Sequence, residues 1–204
     1  MIAVVDYGVG NLFSLCSSLK SIGAQAQVTA DPAVIAGADK VILPGVGAFG
    51  DAVKKLRERG LDKVLKEQAA LGKELLGICL GMQLLFEKSF EYGEHEGLGL
   101  LKGRVVPMEG KLGAELKIPH IGWNELHFQR ESRLFRYIRE KDCVYFVHSF
   151  YAEGCEDSLI ATAEYGRELT AAVEKGNVKG CQFHPEKSGS VGLAILRAFC
   201  EDGE

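Results

Sequence analysis

Between Ile2 and Phe86 the chain alternates short apolar runs with stretches whose apolar residues recur at helical spacing, and this alternation most constrains its fold. Ile2-Ala3-Val4-Val5 reads as a strand with no polar face. Asn11 then caps a helix with Leu12, Leu15, Leu19 and Ile22 along one side. A short strand is expected at 25–29, and Asp31-Pro32 supplies the cap and first-turn proline of a brief helix. Further strands are expected at 40–43 and 74–78. A helical stretch at 52–71, broken at Gly60, separates them, and a helix through Met82, Leu84, Leu85 and Phe86 follows. Strands apolar on both faces must be covered on both faces. The pattern therefore implies an α/β fold, a mostly parallel central sheet with helices on each side. The second half changes character. Short runs at 104–108, 117–118, 142–148, 159–164 and 170–174, with one helix at 188–200, imply an antiparallel elaboration. No linker, repeat or low-complexity tract interrupts the 204 residues, so one domain over 1–204 is expected.

Composition removes several classes of function. Lys plus Arg number 24 against 28 Asp plus Glu, a net charge of −4, and a nucleic-acid or anionic-membrane partner would favour a basic excess. The longest stretch without a polar residue, Val41 to Gly50, is too short to span a bilayer, and the apolar run after Met1 stops at Asp6 with no basic region before it. Cysteines at 16, 79, 143, 155, 181 and 200 form no CxxC pair and no zinc-ribbon spacing. These features imply a reducing, cytoplasmic setting, no metal, and most cysteines acting as small buried hydrophobes. The 25 glycines imply tight turns and close backbone approaches.

Gly45-Val46-Gly47-Ala48-Phe49-Gly50 matches G-x-G-x-x-G after a strand, but the acidic residue a dinucleotide site requires at the end of the next strand is absent, because that strand ends in Gly77-Ile78-Cys79. No cofactor is expected. Gly77-Ile78-Cys79-Leu80-Gly81 carries more information: strand, G-x-C-x-G, helix is the pattern of a nucleophile elbow with sulfur as nucleophile. The flanking glycines let strand and helix approach while the central residue holds a strained turn. The helix N-terminus favours thiolate, and the Leu80 N–H is placed to donate to an oxyanion. A nucleophile of this kind needs a base and the base needs an orienting group. His184 in Cys181-Gln182-Phe183-His184-Pro185-Glu186 is best placed, with Glu186 to hold the imidazole and Pro185 to fix the backbone between them. Cys181 with His184 could begin a metal site, but no second pair completes it. His95, amid Glu91, Glu94 and Glu96, reads as part of a solvated acidic loop, and His127 has no companion.

The G-x-C-x-G-x-Q elbow with a distant H-P-E resembles the class I (triad-type) glutamine amidotransferase family. Segments 6–12, 44–49, 77–87, 119–124, 145–150 and 183–188 resemble one branch of it. That branch comprises glutaminase subunits of histidine biosynthesis, which pass ammonia to a separate cyclase subunit making imidazole glycerol phosphate and aminoimidazole carboxamide ribonucleotide. The resemblance implies that Cys79 attacks the glutamine side-chain amide, His184 moves the proton, Glu186 holds the ring and a glutamyl thioester forms. It further implies oxyanion donors at Leu80 and in the Val46-Gly47 loop, and a glutamine pocket at Gln83, His148, Ser149 and Phe150. Phe150 stands where tyrosine is common in relatives. Asn11, Trp123, Asn124 and Lys187 would face the cyclase, a (β/α)8 barrel needing ~250 residues and hence a separate polypeptide in a heterodimer. Gly45 and Gly47 would allow a peptide flip, giving little turnover until partner and acceptor nucleotide bind.

Other readings stay open at this stage. Gln83 could cap the elbow helix, Ser149 could be a turn residue and Trp123 could be core. The glutaminase could serve anthranilate, aminodeoxychorismate or GMP synthesis, or cleave γ-glutamyl bonds, or the fold could be a non-catalytic scaffold. The Gly122-Trp123-Asn124 and Pro44-to-Phe49 segments argue against the first group, and the intact triad argues against the scaffold.

Overall fold

The computed structural model describes residues 1–113 and 115–201. Its first half comprises β1 (Ile2–Val5), α1 (Leu12–Ser21), β2 (Ala26–Thr29), α2 (Pro32–Gly37), β3 (Lys40–Gly45), α3 (Phe49–Glu58), α4 (Leu61–Ala70), β4 (Glu74–Cys79) and α5 (Leu80–Leu84). There follow β5 (Phe86–Ser89), β6 (His95–Glu96), β7 (Leu101–Pro107), β8 (His120–Glu125), β9 (His127–Phe128), β10 (Cys143–His148) and β11 (Phe150–Glu153). The chain finishes with β12 (Leu159–Glu164), β13 (Glu168–Lys175), β14 (Val178–Cys181) and α6 (Gly189–Cys200). The starts of α1 and α2 obey the local chemistry: Asn11 Oδ1 accepts from the Ser14 N–H and Asp31 Oδ1 from the Ala33 N–H, with Pro32 in the first turn. Gly60, in a left-handed conformation, separates α3 from α4.

The main sheet runs β2-β1-β3-β4-β14-β13-β12-β9. The first five strands pair in parallel and the remainder antiparallel. Alternation along each parallel strand explains why these segments carry no polar face. Ala3, Val5, Val41, Leu43 and Leu75 pack with α2, α3 and α4 on one side. Ile2, Val4, Ile42, Leu76 and Ile78 pack with α1 and α6 on the other. At ~1.5–3 kcal/mol for each fully buried aliphatic side chain, the two layers supply the main driving force for the fold. A four-stranded sheet (β11-β7-β5-β6) and the β8–β10 hairpin-like pair form the elaboration beside the carboxyl ends of the parallel strands.

Three sequence expectations are corrected. Residues 117–118 are not a strand: pairing begins at His120, opposite His148, because Pro119 has no N–H for a ladder. Phe86 starts β5 rather than ending a helix, since α5 stops at Leu84 and the chain turns to pair with β7. Half of the cysteines rather than most are buried: all six are free, but Cys143 is exposed and Cys16 and Cys200 are half-buried. Among the described residues no helix is long and apolar enough to cross a membrane.

Candidate active site

The carboxyl ends of β1, β3, β4 and β14 converge where ligands bind in open α/β sheets. Cys79 is the last residue of β4 and the cap of α5, with φ 55° and ψ −113°. Only glycine adopts this region without strain, so the thiol is held by the surrounding packing. That packing depends on glycine. A Cβ on Gly77 would lie 2.6 Å from the Gly81 carbonyl oxygen, and one on Gly81 would lie 1.8 Å from that of Leu43. Strand and helix therefore meet backbone to backbone, leaving Cys79 only 7% exposed at the head of the turn.

The neighbouring strands bring its partners by register. Gly45 pairs opposite Cys79 on one side, and Cys181 pairs opposite Ile78 on the other. Three residues beyond β14, the His184 N–H donates to the Tyr145 carbonyl at 2.9 Å, while the Ser188 hydroxyl donates to the His184 carbonyl and accepts from the Tyr145 N–H. These bonds tie the His-Pro-Glu turn to β10. His184 Nδ1 lies 2.8 Å from Glu186 Oε1, and both side chains are buried.

Burial opposes the imidazolium form of His184, but its hydrogen bonds with Cys79 and Glu186 and their negative charges outweigh burial and raise it to about 9 from 6.5. The folded state thus holds a proton that the unfolded chain would release. This contribution to stability is complete below pH 6.5 and is lost as pH rises through about 9. An imidazole carrying this proton can pass it to a leaving group, and an enzyme that uses it so should show kcat/KM falling on an alkaline limb near pH 9. Glu186→Gln removes one stabilising charge. A pH–rate profile of that variant should show the limb moved down by about one unit and a maximum lowered on the order of 10²-fold.

A cleft of about 370 Å³ opens over Cys79, lined by Val46, Gly47, Leu80, Gln83, His148, Ser149, Phe150, His184 and Lys187, and by Glu91, Tyr92, Pro119 and Val147. All the residues expected to touch substrate therefore border one space, and Glu186, expected to hold the imidazole, stands behind His184. Several arrangements differ from the sequence reading. Gln83 does not cap α5: its Nε2 donates to the Phe150 carbonyl and to Gln182 Oε1. His148 lines the cleft with both ring nitrogens engaged, one with the Phe150 carbonyl at 2.8 Å and one with His120 at 3.2 Å. Burial lowers His148 to about 3 and His120 to about 4, so both rings are neutral near pH 7. Gly45 is a packing glycine, not a hinge: a Cβ there would meet Tyr7 Oη at 2.5 Å and the Gly81 nitrogen at 3.0 Å. The position in the Val46-Gly47 loop with room to turn is Gly47, whose φ is +96° and whose added Cβ would meet nothing within 4 Å. Tyr7, buried under this loop, donates to the Pro44 carbonyl at 2.9 Å; burial and the charge of Cys79 keep its hydroxyl protonated.

The acidic loop around His95 is not wholly solvated. Glu91 is buried and its Oε2 accepts from the Phe49 N–H at 2.6 Å, closing the start of α3 from 42 residues away. Nothing in the local sequence separates Glu91 from its neighbours Glu87, Glu94 and Glu96. At the rim of the cleft Lys187 lies over the Tyr145 ring, which meets Trp123 edge-on. Trp123 is 57% exposed and is not core. Asn124 donates to the Glu164 carbonyl and Asn11 caps α1, so both also serve the fold. Among the described residues no cluster of three or more metal-ligating side chains occurs.

A cysteine in a strained strand–helix turn, a carboxylate-held imidazole and a polar cleft on an open α/β sheet fit a thiol enzyme of acyl-transfer type. The family model for class-I glutamine amidotransferases matches residues 3–202, and the chain belongs to that family. Its relatives include subunits named imidazole glycerol phosphate synthase subunit HisH. That of Wolinella succinogenes is 47% identical over 205 residues, covering 100% of each chain. That of Sulfurimonas denitrificans is 52% identical over 202 residues, covering 98% of this chain and 97% of the relative. Among solved structures, a glutamine amidotransferase superposes with TM-score 0.76 at 21% identity, covering 98% and 97% of the two chains. A PurLQS structure from Thermotoga maritima gives TM-score 0.76 at 22% identity over 97% and 96%. At these identities the structures share the fold.

Proposed function

We propose that this chain is the glutaminase subunit of an imidazole glycerol phosphate synthase, acting in the cytoplasm as one domain over residues 1–204. It hydrolyses glutamine and hands ammonia to a separate cyclase subunit, a (β/α)8 barrel that makes imidazole glycerol phosphate and aminoimidazole carboxamide ribonucleotide in histidine biosynthesis. The observation that carries the chemistry is Cys79 in a strained strand–helix turn, bordering one cleft with a His184 that Glu186 holds at 2.8 Å.

Cys79 Sγ attacks the side-chain carbonyl carbon of glutamine. The resulting oxyanion is met by the Leu80 N–H and by an N–H of the Val46-Gly47 loop. His184 gives its proton to the departing nitrogen, which leaves as ammonia while the thioester forms. His184 then takes a proton from water as its oxygen attacks the thioester, and glutamate leaves with Cys79 regenerated. Neither oxidant nor metal enters this balance. Gln83 keeps its Oε1 for the substrate, and Ser149 and Phe150 supply the backbone wall of the pocket.

Among the described residues that line the cleft, Glu91 supplies a carboxylate and Lys187 an ammonium, so an amino-acid substrate has a counter-charge for each of its own. Burial pushes the Glu91 carboxyl up, and a substrate ammonium beside it would draw it back to the charged form. Glu91→Gln is expected to raise KM for glutamine about tenfold or more with kcat changed less, as read by steady-state glutamate release. Trp123, Asn124, Asn11 and Lys187 form the proposed cyclase face, with turnover low until the cyclase and its nucleotide dock. Complementation tests the assignment. A strain lacking its histidine-pathway glutaminase should grow without histidine when it carries this chain. Rescue of a tryptophan or guanine auxotroph instead would move the assignment to another synthase.

A further inference from the structure

We propose that Gln182 is a catalytic residue of this site: its side-chain amide donates a hydrogen bond to the Cys79 sulfur, and Gln83 holds the amide in that orientation. The proposal rests on Cys79 being the nucleophile.

The parallel register delivers Gln182 to this place. Cys181 pairs opposite Ile78, so the next residue of each strand comes level, Gln182 beside Cys79. The Gln182 N–H continues the ladder to the Ala171 carbonyl at 2.8 Å, which fixes its backbone. Its side chain is fully buried, and Nε2 lies 3.8 Å from Cys79 Sγ. An amide buried this completely needs partners for both ends, and it has them.

The direction of the bond follows from a chain that has a single consistent polarity. A peptide carbonyl only accepts, so the Phe150 oxygen requires a donor from Gln83, and Gln83 Nε2 sits 3.1 Å from it. The second proton of that nitrogen faces Gln182 Oε1 at 2.9 Å, making this oxygen the acceptor. The other end of the Gln182 amide, Nε2, then presents its protons to the sulfur. A flipped Gln182 would set two amide nitrogens against each other. His148 adds to the Phe150 carbonyl from the other side at 2.8 Å, so the anchor of the chain is itself held.

A donor aimed at sulfur acts where sulfur carries negative charge. It stabilises the thiolate before attack, and again when the thioester's tetrahedral intermediate expels the sulfur as thiolate. An uncharged amide does this without taking the His184 proton. Gln83 therefore has two roles, bordering the substrate cleft and orienting the sulfur's donor.

The test compares wild type, Gln182→Met, Gln182→Glu and Cys79→Ala, each assembled with the cyclase subunit. Alkylation by iodoacetamide is followed across pH with the labelled peptide identified by mass, and kcat and KM are measured for glutamate release. In Gln182→Met, similar in bulk but without a donor, the pH of half-maximal Cys79 alkylation should rise by about one unit. Its kcat should fall about tenfold with KM changed less. Gln182→Glu, which sets a carboxylate oxygen against the sulfur, should move the alkylation profile further in the same direction, and it decides the matter if Gln182→Met does not fold. Profiles coinciding with wild type in a folded variant overturn the role of Gln182 while an inactive Cys79→Ala leaves the nucleophile in place. A Cys79→Ala enzyme that still releases glutamate overturns the nucleophile assignment, and Gln182 with it.

Discussion

Replacing Cys79 with alanine is expected to lower glutamate release by the assembled enzyme on the order of 10⁴-fold or more, since the nucleophile and its base act as a unit. The fold should persist, though not without cost. Alanine inherits the same φ of 55° and ψ of −113° but leaves the buried Gln182 amide without its sulfur partner, so stability should fall by about 1–2 kcal/mol and the melting temperature by several degrees. Cys79→Gly should be equally inactive and yet more stable than Cys79→Ala by about 1–2 kcal/mol, because glycine alone relaxes in that conformation. The pair separates two statements about one residue. Activity reports whether sulfur does the chemistry, and the stability difference reports whether the turn is strained. A Cys79→Gly protein less stable than Cys79→Ala would contradict the strained elbow.

The largest structural effect is expected at Gly81. An alanine Cβ there would sit 1.8 Å from the Leu43 carbonyl oxygen and 2.8 Å from its carbon. The obstacle is the backbone of β3, which cannot retreat because it pairs with β1 on one side and β4 on the other. To accommodate the methyl group, α5 must lift from the sheet and carry Cys79, Leu80 and Gln83 with it. We expect destabilisation of about 4 kcal/mol or more and a fall in Tm of about 10 °C or more. Gly47→Ala is the contrast. Nothing lies within 4 Å of its added Cβ, but its φ of +96° disfavours any side chain. Its penalty of about 1–2 kcal/mol falls on a loop, so turnover should drop while Tm moves little. Equal thermal effects at the two positions would contradict the backbone contact described for Gly81.

The two predictions also mark what a sequence can carry. The elbow is legible because its requirements are local: two glycines at fixed offsets from a cysteine, between an apolar strand and a helix. The parallel half of the sheet is legible because strands buried on both faces leave no polar alternation, as in Ile2 to Val5. His184 and Glu186 are legible because proline fixes the backbone between them. What escaped depends on distance in the chain. Glu91 looks like one acid among several, and its role at the Phe49 N–H is set by a fold that brings 91 to 49. Gln182 looks like the polar residue of a strand end, and only the β4–β14 register sets it beside the sulfur. Gly45 and Gly47 look alike in sequence. One is pinned between Tyr7 and Gly81, the other is open to a cleft, and no local pattern distinguishes them. His148 was legible as a cleft residue, but its commitment to His120 and Phe150 required the β8–β10 pairing.

In the proposed reaction Cys79 Sγ is the atom on which glutamine is opened. A glutamine analogue with an electrophilic diazoketone at the side-chain position, 6-diazo-5-oxonorleucine, tests it directly when incubated with the assembled enzyme and followed by peptide mass mapping. One adduct is expected, on the peptide carrying Cys79, formed together with loss of glutamate release, prevented by excess glutamine and absent in Cys79→Ala. An adduct on exposed Cys143 that abolishes activity, or full inactivation with Cys79 unmodified, would contradict this role of Cys79.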